Sequence, residues 1–111
     1  RKEIAARYIT QIKNPKIVLP ENPKDIAEHA WHIFLIRSED REALQKYLTD
    51  KGVQTLIHYP IPPHKQEAYK EWNDLSFPIT EQIHRQVLSL PISPVMTDEE
   101  VLSVIQIINE F

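Results

Sequence analysis

Apolar residues recur along this chain with two periods, and the changes from one to the other divide it into elements. Ile4, Ala5, Tyr8, Ile9 and Ile12 fall on one face at helical spacing, which predicts a helix over residues 1–12. Pro15, Pro20 and Pro23 then surround Ile17-Val18-Leu19. Proline fixes φ and lacks a donor, so residues 14–24 read as an extended connection with at most an edge strand. Residues 29–37 (HAWHIFLIR) are apolar on both alternating faces, with Trp31, Ile33 and Leu35 on one and His32, Phe34 and Ile36 on the other. That pattern predicts a central strand buried on both sides.

A helix over residues 39–51 follows, with Ser38 or Asp40 as its cap and Leu44, Tyr47 and Leu48 along one face. Gly52 stands where a left-handed stop is needed. Residues 53–59 (VQTLIHY) read as a second strand, ended by Pro60-Ile61-Pro62-Pro63. A short helix over 64–72, another from Thr80 to about Val87, and a third short strand over 88–92 complete the middle of the chain. The last element carries the strongest local signal. Thr97 and Glu100 form a capping box, Met96 and Val101 a hydrophobic staple, and Val101, Val104, Ile105 and Ile108 an apolar stripe. The expected fold is α/β (α+β), a two-layer sandwich with helices packed on a small sheet of three to four strands.

Composition narrows the function. With 111 residues the chain is one domain; 41% hydrophobic and 26% charged residues are ordinary globular values. A net charge of -3 and scattered cations offer no surface for nucleic acid or an anionic membrane. No apolar run approaches the ~20 residues of a membrane span, and no signal peptide opens the chain, so the expectation is a cytoplasmic protein. There is no cysteine, which excludes disulfides and thiolate chemistry. One glycine against nine prolines excludes a Gly-rich phosphate loop. The first helix has no capping residue before it, as expected of a helix cut from a longer chain.

The five histidines, His29, His32, His58, His64 and His84, show no metal-ligand spacing. His29 and His32 would point to opposite faces of a strand. Acidic pairs such as Glu39-Asp40 sit at helix starts, where they complement the helix dipole. Residues 55–64 (TLIHYPIPPH) are different: two His and one Tyr stand among prolines directly after a strand. Such a stiff turn can present side chains to a ligand at little entropic cost, or it can simply end the strand. The residue chemistry leaves both readings open.

A resemblance speaks to the choice. Trp31-His32-Ile33-Phe34, Arg41-Glu42-Ala43-Leu44 with Tyr47-Leu48, and Gly52-Val53 with His58-Tyr59-Pro60-Ile61-Pro62-Pro63-His64 resemble the DegT/StrS family. So do Gln66-Glu67-Ala68-Tyr69, Phe77-Pro78, Leu88-Ser89-Leu90-Pro91-Ile92 and Met96-Thr97-Asp98-Glu99-Glu100-Val101, in the family's order. The resemblance implies the C-terminal small domain of a pyridoxal-phosphate (PLP) nucleotide-sugar aminotransferase of fold type I, acting in polysaccharide or antibiotic sugar biosynthesis. On that reading residues 1–12 belong to the inter-domain helix, 13–28 to a Pro-rich connection and 29–111 to the α/β core. The resemblance also implies partners: the protein's own large domain, which anchors PLP outside this chain, and a second subunit in a homodimer. The enzyme would move an amino group, commonly from glutamate, to a keto nucleotide-sugar, although some family members dehydrate the sugar instead. By similarity His58, Tyr59 and His64 lie on the substrate side, and no catalytic or cofactor-binding residue is expected here. The competing expectation is a non-catalytic α/β module that binds a small ligand or a protein.

Overall fold

A computed structural model describes residues 1–111, apart from the side chain of Ile26. Four α-helices, α1 (Lys2–Gln11), α2 (Arg41–Asp50), α3 (Pro78–Gln86) and α4 (Asp98–Asn109), accompany two strands, β1 (Phe34–Arg37) and β2 (Val87–Leu90). The strands pair antiparallel, Phe34 opposite Leu90 and Ile36 opposite Leu88, with Leu35 opposite Ser89 and Arg37 opposite Val87 between them. Because side chains alternate along a strand, the first two pairs share one face and the other two the opposite face. The first face holds the core. Phe34, Ile36, Leu88 and Leu90 join Tyr8 of α1, Leu44 and Leu48 of α2 and the stripe of α4 in one buried cluster.

The helix ends follow the expected local chemistry. At α4 the Glu100 N–H donates to Thr97 Oγ1 (3.2 Å) and the Thr97 N–H to Glu100 Oε2 (2.8 Å), completing the capping box. Gly52 has φ 83°, and a Cβ there would meet nothing, so the reason for glycine is the left-handed backbone. The Gly52 N–H donates to Thr49 O at 3.0 Å and the Val53 N–H to Leu48 O at 2.8 Å, a Schellman stop after α2. Asp40 caps α2 by position only; the Ser38 hydroxyl accepts from the Asp40 N–H instead. Asn109 ties the ends of the chain together, accepting from the Lys13 N–H and donating to Gln11 O.

Several expected strands are shorter. The predicted strand 29–37 begins only at Phe34, because Trp31 takes φ 50° and breaks the alternation. Positive φ is uncommon for a bulky residue. Here the Trp31 N–H donates to His29 Nδ1 at 3.0 Å, the rings of His29 and Trp31 stack, and the indole packs on Phe34. Trp31 therefore reaches the core that Phe34 faces. The predicted strand 53–59 contributes only the bridge Leu56–Ser89, and the edge segment only Val18–Arg37. The sheet is thus two regular strands with one bridge on each side. The predicted helix 64–72 is two 3-10 turns, Pro63–Lys65 and Glu67–Trp72, kinked at Tyr69. Among the described residues no helix is long and apolar enough to cross a membrane.

Tyr8 links α1 to the segment after β2: fully buried, it donates its hydroxyl to Pro91 O at 2.8 Å. Burial pushes this phenol well above its ordinary value of 10.0, and Arg7 beside it offsets only part of that. The folded chain therefore keeps a proton that the unfolded chain releases near pH 10. Stability contributed by this group is complete below that pH and falls as pH rises, by about 1.4 kcal/mol per unit. Urea unfolding of the wild type and Tyr8→Phe from pH 8 to 11 should show the difference. The variant is expected to be less stable at pH 8 by about 1–3 kcal/mol, from the unpaired carbonyl, and to lose less as pH rises.

Candidate functional site

The second face of the sheet carries Leu35, Ser89, Arg37 and Val87, and neither Leu35 nor Val87 joins the core cluster. The segment after Gly52 approaches this face. Ser89 N–H donates to Leu56 O at 2.7 Å and Leu56 N–H returns to Ser89 O at 3.3 Å. Opposite residues share a face, and so do residues two apart, so Leu56 and His58 lie with the Ser89 side chain while Ile57 turns to the core. His58 Nδ1 and Ser89 Oγ are 2.7 Å apart. Both residues border a cavity of about 680 Å³, whose rim also includes His32, Ile33, Thr55 and Leu56.

The turn beyond His58 is held from a second side. The His58–Tyr59 peptide bond is cis. His84 of α3 donates from Nδ1 to the Tyr59 carbonyl, and the His84 carbonyl accepts from Arg41 at 2.6 Å. Arg41 is a buried guanidinium on α2, so one chain of contacts runs from α2 through α3 to the turn. The rings of His58 and Tyr59 meet edge to face with centroids 5.3 Å apart, and Tyr59 is 64% exposed.

His64 faces elsewhere. It is buried, meets Phe77 edge to face at 4.8 Å, and directs Nε2 toward Glu81 Oε1 at 3.5 Å, too poorly aligned for a hydrogen bond. Lys65 Nζ lies 3.6 Å from the same oxygen. Desolvation would raise the Glu81 carboxyl, but His64 and Lys65 outweigh it and hold the group below its ordinary value. Of the three candidate residues, the cavity beside β2 takes only His58; His64 borders a smaller apolar pocket with Trp72, Leu75 and Phe77.

Composition and spacing gave Ser89, His84 and Arg41 no site role. The available signal was at Ser89, one polar residue between Leu88 and Leu90 in an otherwise apolar strand. As to a carbonyl cofactor, covalent anchoring needs an amine enclosed in a pocket that lowers its pKa. Every lysine of this chain is exposed and none borders the cavity at His58, so these residues do not fit that anchoring role. Among the described residues no three metal-ligating side chains converge.

Residues 1–109 match the profile of the DegT/DnrJ/EryC1/StrS aminotransferase family. The chain belongs to this family. Over its whole length this DegT-family chain is 59% identical to the dTDP-3-amino-3,6-dideoxy-alpha-D-galactopyranose transaminase of Aneurinibacillus thermoaerophilus, covering 30% of that protein. It is 38% identical over its whole length to the dTDP-3-amino-3,4,6-trideoxy-alpha-D-glucose transaminase of Streptomyces venezuelae, again covering 30%. Its fold superposes on the crystal structure of S. venezuelae DesV in complex with a ketimine intermediate, with a TM-score of 0.88 and 37% identity, over 99% of this chain and 30% of DesV. The chain thus spans about 30% of the length of the relatives it matches.

Proposed function

We propose that this chain is the C-terminal small domain of an aminotransferase that moves an amino group from glutamate to a keto nucleotide-sugar. In this reading the substrate is a dTDP-linked deoxysugar with its keto group on carbon 3. The 59% identity across the whole chain to a transaminase named for that product carries the proposal. A second relative, also named for an amino group on carbon 3 of a dTDP-sugar, supports it.

Pyridoxal phosphate, held outside these residues, would carry the amino group and serve as the electron sink. The exposure of every lysine here is consistent with an anchoring amine elsewhere. His58 and Tyr59 meet the nucleotide-sugar: the imidazole donates to a phosphate or sugar oxygen, and the phenol hydrogen-bonds or packs against it. His64, closed in against Phe77 and Glu81, contributes by fixing the turn. Exposed Tyr59, Ile61, Trp72, Leu75, Phe77 and Ile79 give an apolar surface suited to the large domain or to the second subunit of a homodimer. Residues 1–12 run between the domains.

Full-length enzyme, glutamate and either a 3-keto or a 4-keto dTDP-6-deoxysugar provide the test, read by mass spectrometry. An amino sugar from the 3-keto substrate is the expected product, and borohydride reduction should label one lysine outside residues 1–111. Amination of the 4-keto isomer alone would overturn the choice of carbon. A single stoichiometric adduct within residues 1–111 would overturn the division of roles between the domains.

A further inference from the structure

Ser89 sits where strand chemistry favours an apolar side chain. It lies in the middle of β2, is 5% exposed and is flanked by Leu88 and Leu90. A buried hydroxyl carries a desolvation cost unless it is hydrogen-bonded. Its backbone N–H and C=O are both engaged by Leu56, so the hydroxyl is the one group free to act on anything else. It reaches across 31 positions of sequence to the Nδ1 of His58 at 2.7 Å. Register explains the meeting, because Leu56, His58 and Ser89 share the face turned away from the core.

We propose that Ser89 is a positioning residue for the nucleotide-sugar, its hydroxyl locking the rotamer and tautomer of His58. The inference rests on the substrate role given to His58 above. With the Ser89 O–H donating to Nδ1, the proton of the neutral imidazole resides on Nε2. The diphosphate of a nucleotide-sugar has only acceptor oxygens, so it needs a donor there. Nδ1–H donating to Ser89 Oγ would leave Nε2 an acceptor, unable to serve that group. A ring tied at Nδ1 also cannot flip, and the ordering cost is met before substrate arrives. The arrangement follows the general rule that the bond at one imidazole nitrogen decides what the other presents. His84 does the complementary task at the next residue, holding the Tyr59 carbonyl.

The test uses the full-length enzyme labelled with ¹⁵N-histidine and three variants, Ser89→Ala, Ser89→Thr and His58→Ala. Wild-type His58 should show one tautomer, protonated at Nε2. In Ser89→Ala the His58 shifts should move to a mixture of tautomers. The KM for the sugar should rise about tenfold, with the glutamate half-reaction unchanged. Ser89→Thr keeps a hydroxyl and should restore both signals, which a packing role alone would not produce. A single Nε2–H tautomer persisting in a folded Ser89→Ala, or an unchanged sugar KM there while His58→Ala raises it, would overturn the role of Ser89 alone. Unchanged sugar use in His58→Ala would overturn the substrate reading on which the inference stands.

Discussion

Phe34→Ala should lower the stability of the chain by about 3–5 kcal/mol, the range for truncating a buried aromatic residue. Phe34 is fully buried in β1 and contacts Tyr8 edge-on at 5.0 Å and Trp31 at 5.5 Å. Its removal therefore loosens three elements together: the strand, α1, and the turn that brings Trp31 inward. Domains of this size are stable by about 5–15 kcal/mol, so the loss consumes much of the total. Urea unfolding followed by circular dichroism measures it. The midpoint should fall by one molar or more with little change in slope, for a typical slope of about 1–3 kcal/mol per molar. Leu102→Ala, on the open side of α4, serves as the control and should change little. A loss under about 1 kcal/mol for Phe34→Ala would mean that this cluster is not closed in the isolated chain.

The second large effect concerns turnover. If the proposed function holds, His58→Ala and Tyr59→Phe in the full-length protein should weaken sugar use by about 1–3 kcal/mol, roughly five- to 150-fold in kcat/KM. His58 should have the larger effect, because its ring is fixed by Ser89 and borders the cavity, whereas Tyr59 stands 64% exposed. On the proposed division of roles, the half-reaction with glutamate should stay within twofold, because its proton transfer is proposed to use an amine outside the chain. Stopped-flow spectra of the two half-reactions separate the effects. Equal slowing of both would place the turn in support of the cofactor or the subunit contact instead. No change in either would leave the turn as a strand terminator.

Elements written in local chemistry are legible in the sequence alone. The capping box of Thr97 and Glu100 and the Schellman stop at Gly52 each depend on residues within a turn of each other. Strand limits were less legible because they turn on side-chain contacts that an alternating pattern does not show. Alternation alone extends β1 back to His29, but a stack with Trp31 and a bond to its N–H bend the chain there. The helix expected over 64–72 fails for a related reason. Gln66 is extended and Tyr69 leaves the helical region, and Asn73 Nδ2 donates to the carbonyls of His64, Gln66 and Tyr69, holding the segment as two separate turns. The candidate site was half legible: composition singled out the His-Tyr-Pro turn, but its two anchors, Ser89 and His84, lie 31 and 25 positions away.

The narrowness of the sheet also limits how copies of this chain can join. A strand edge recruits another chain when it offers a run of unpaired N–H and C=O groups. Here each outer position of the sheet is taken by a single bridge residue, Val18 on one side and Leu56 on the other. Pro20 follows the first by two residues and Pro60 the second by four. On the Val18 side Pro15 and Pro20 bracket the bridge, and since proline supplies no N–H and sets an unsuitable φ that border cannot lengthen into a ladder; on the Leu56 side Pro60 stops extension in one direction. Growth by strand addition is therefore blocked at the first border and limited at the second. Side-chain contacts are the other route to assembly, and the exposed apolar residues between Tyr59 and Ile83, with Val95 and Leu102, are available for it.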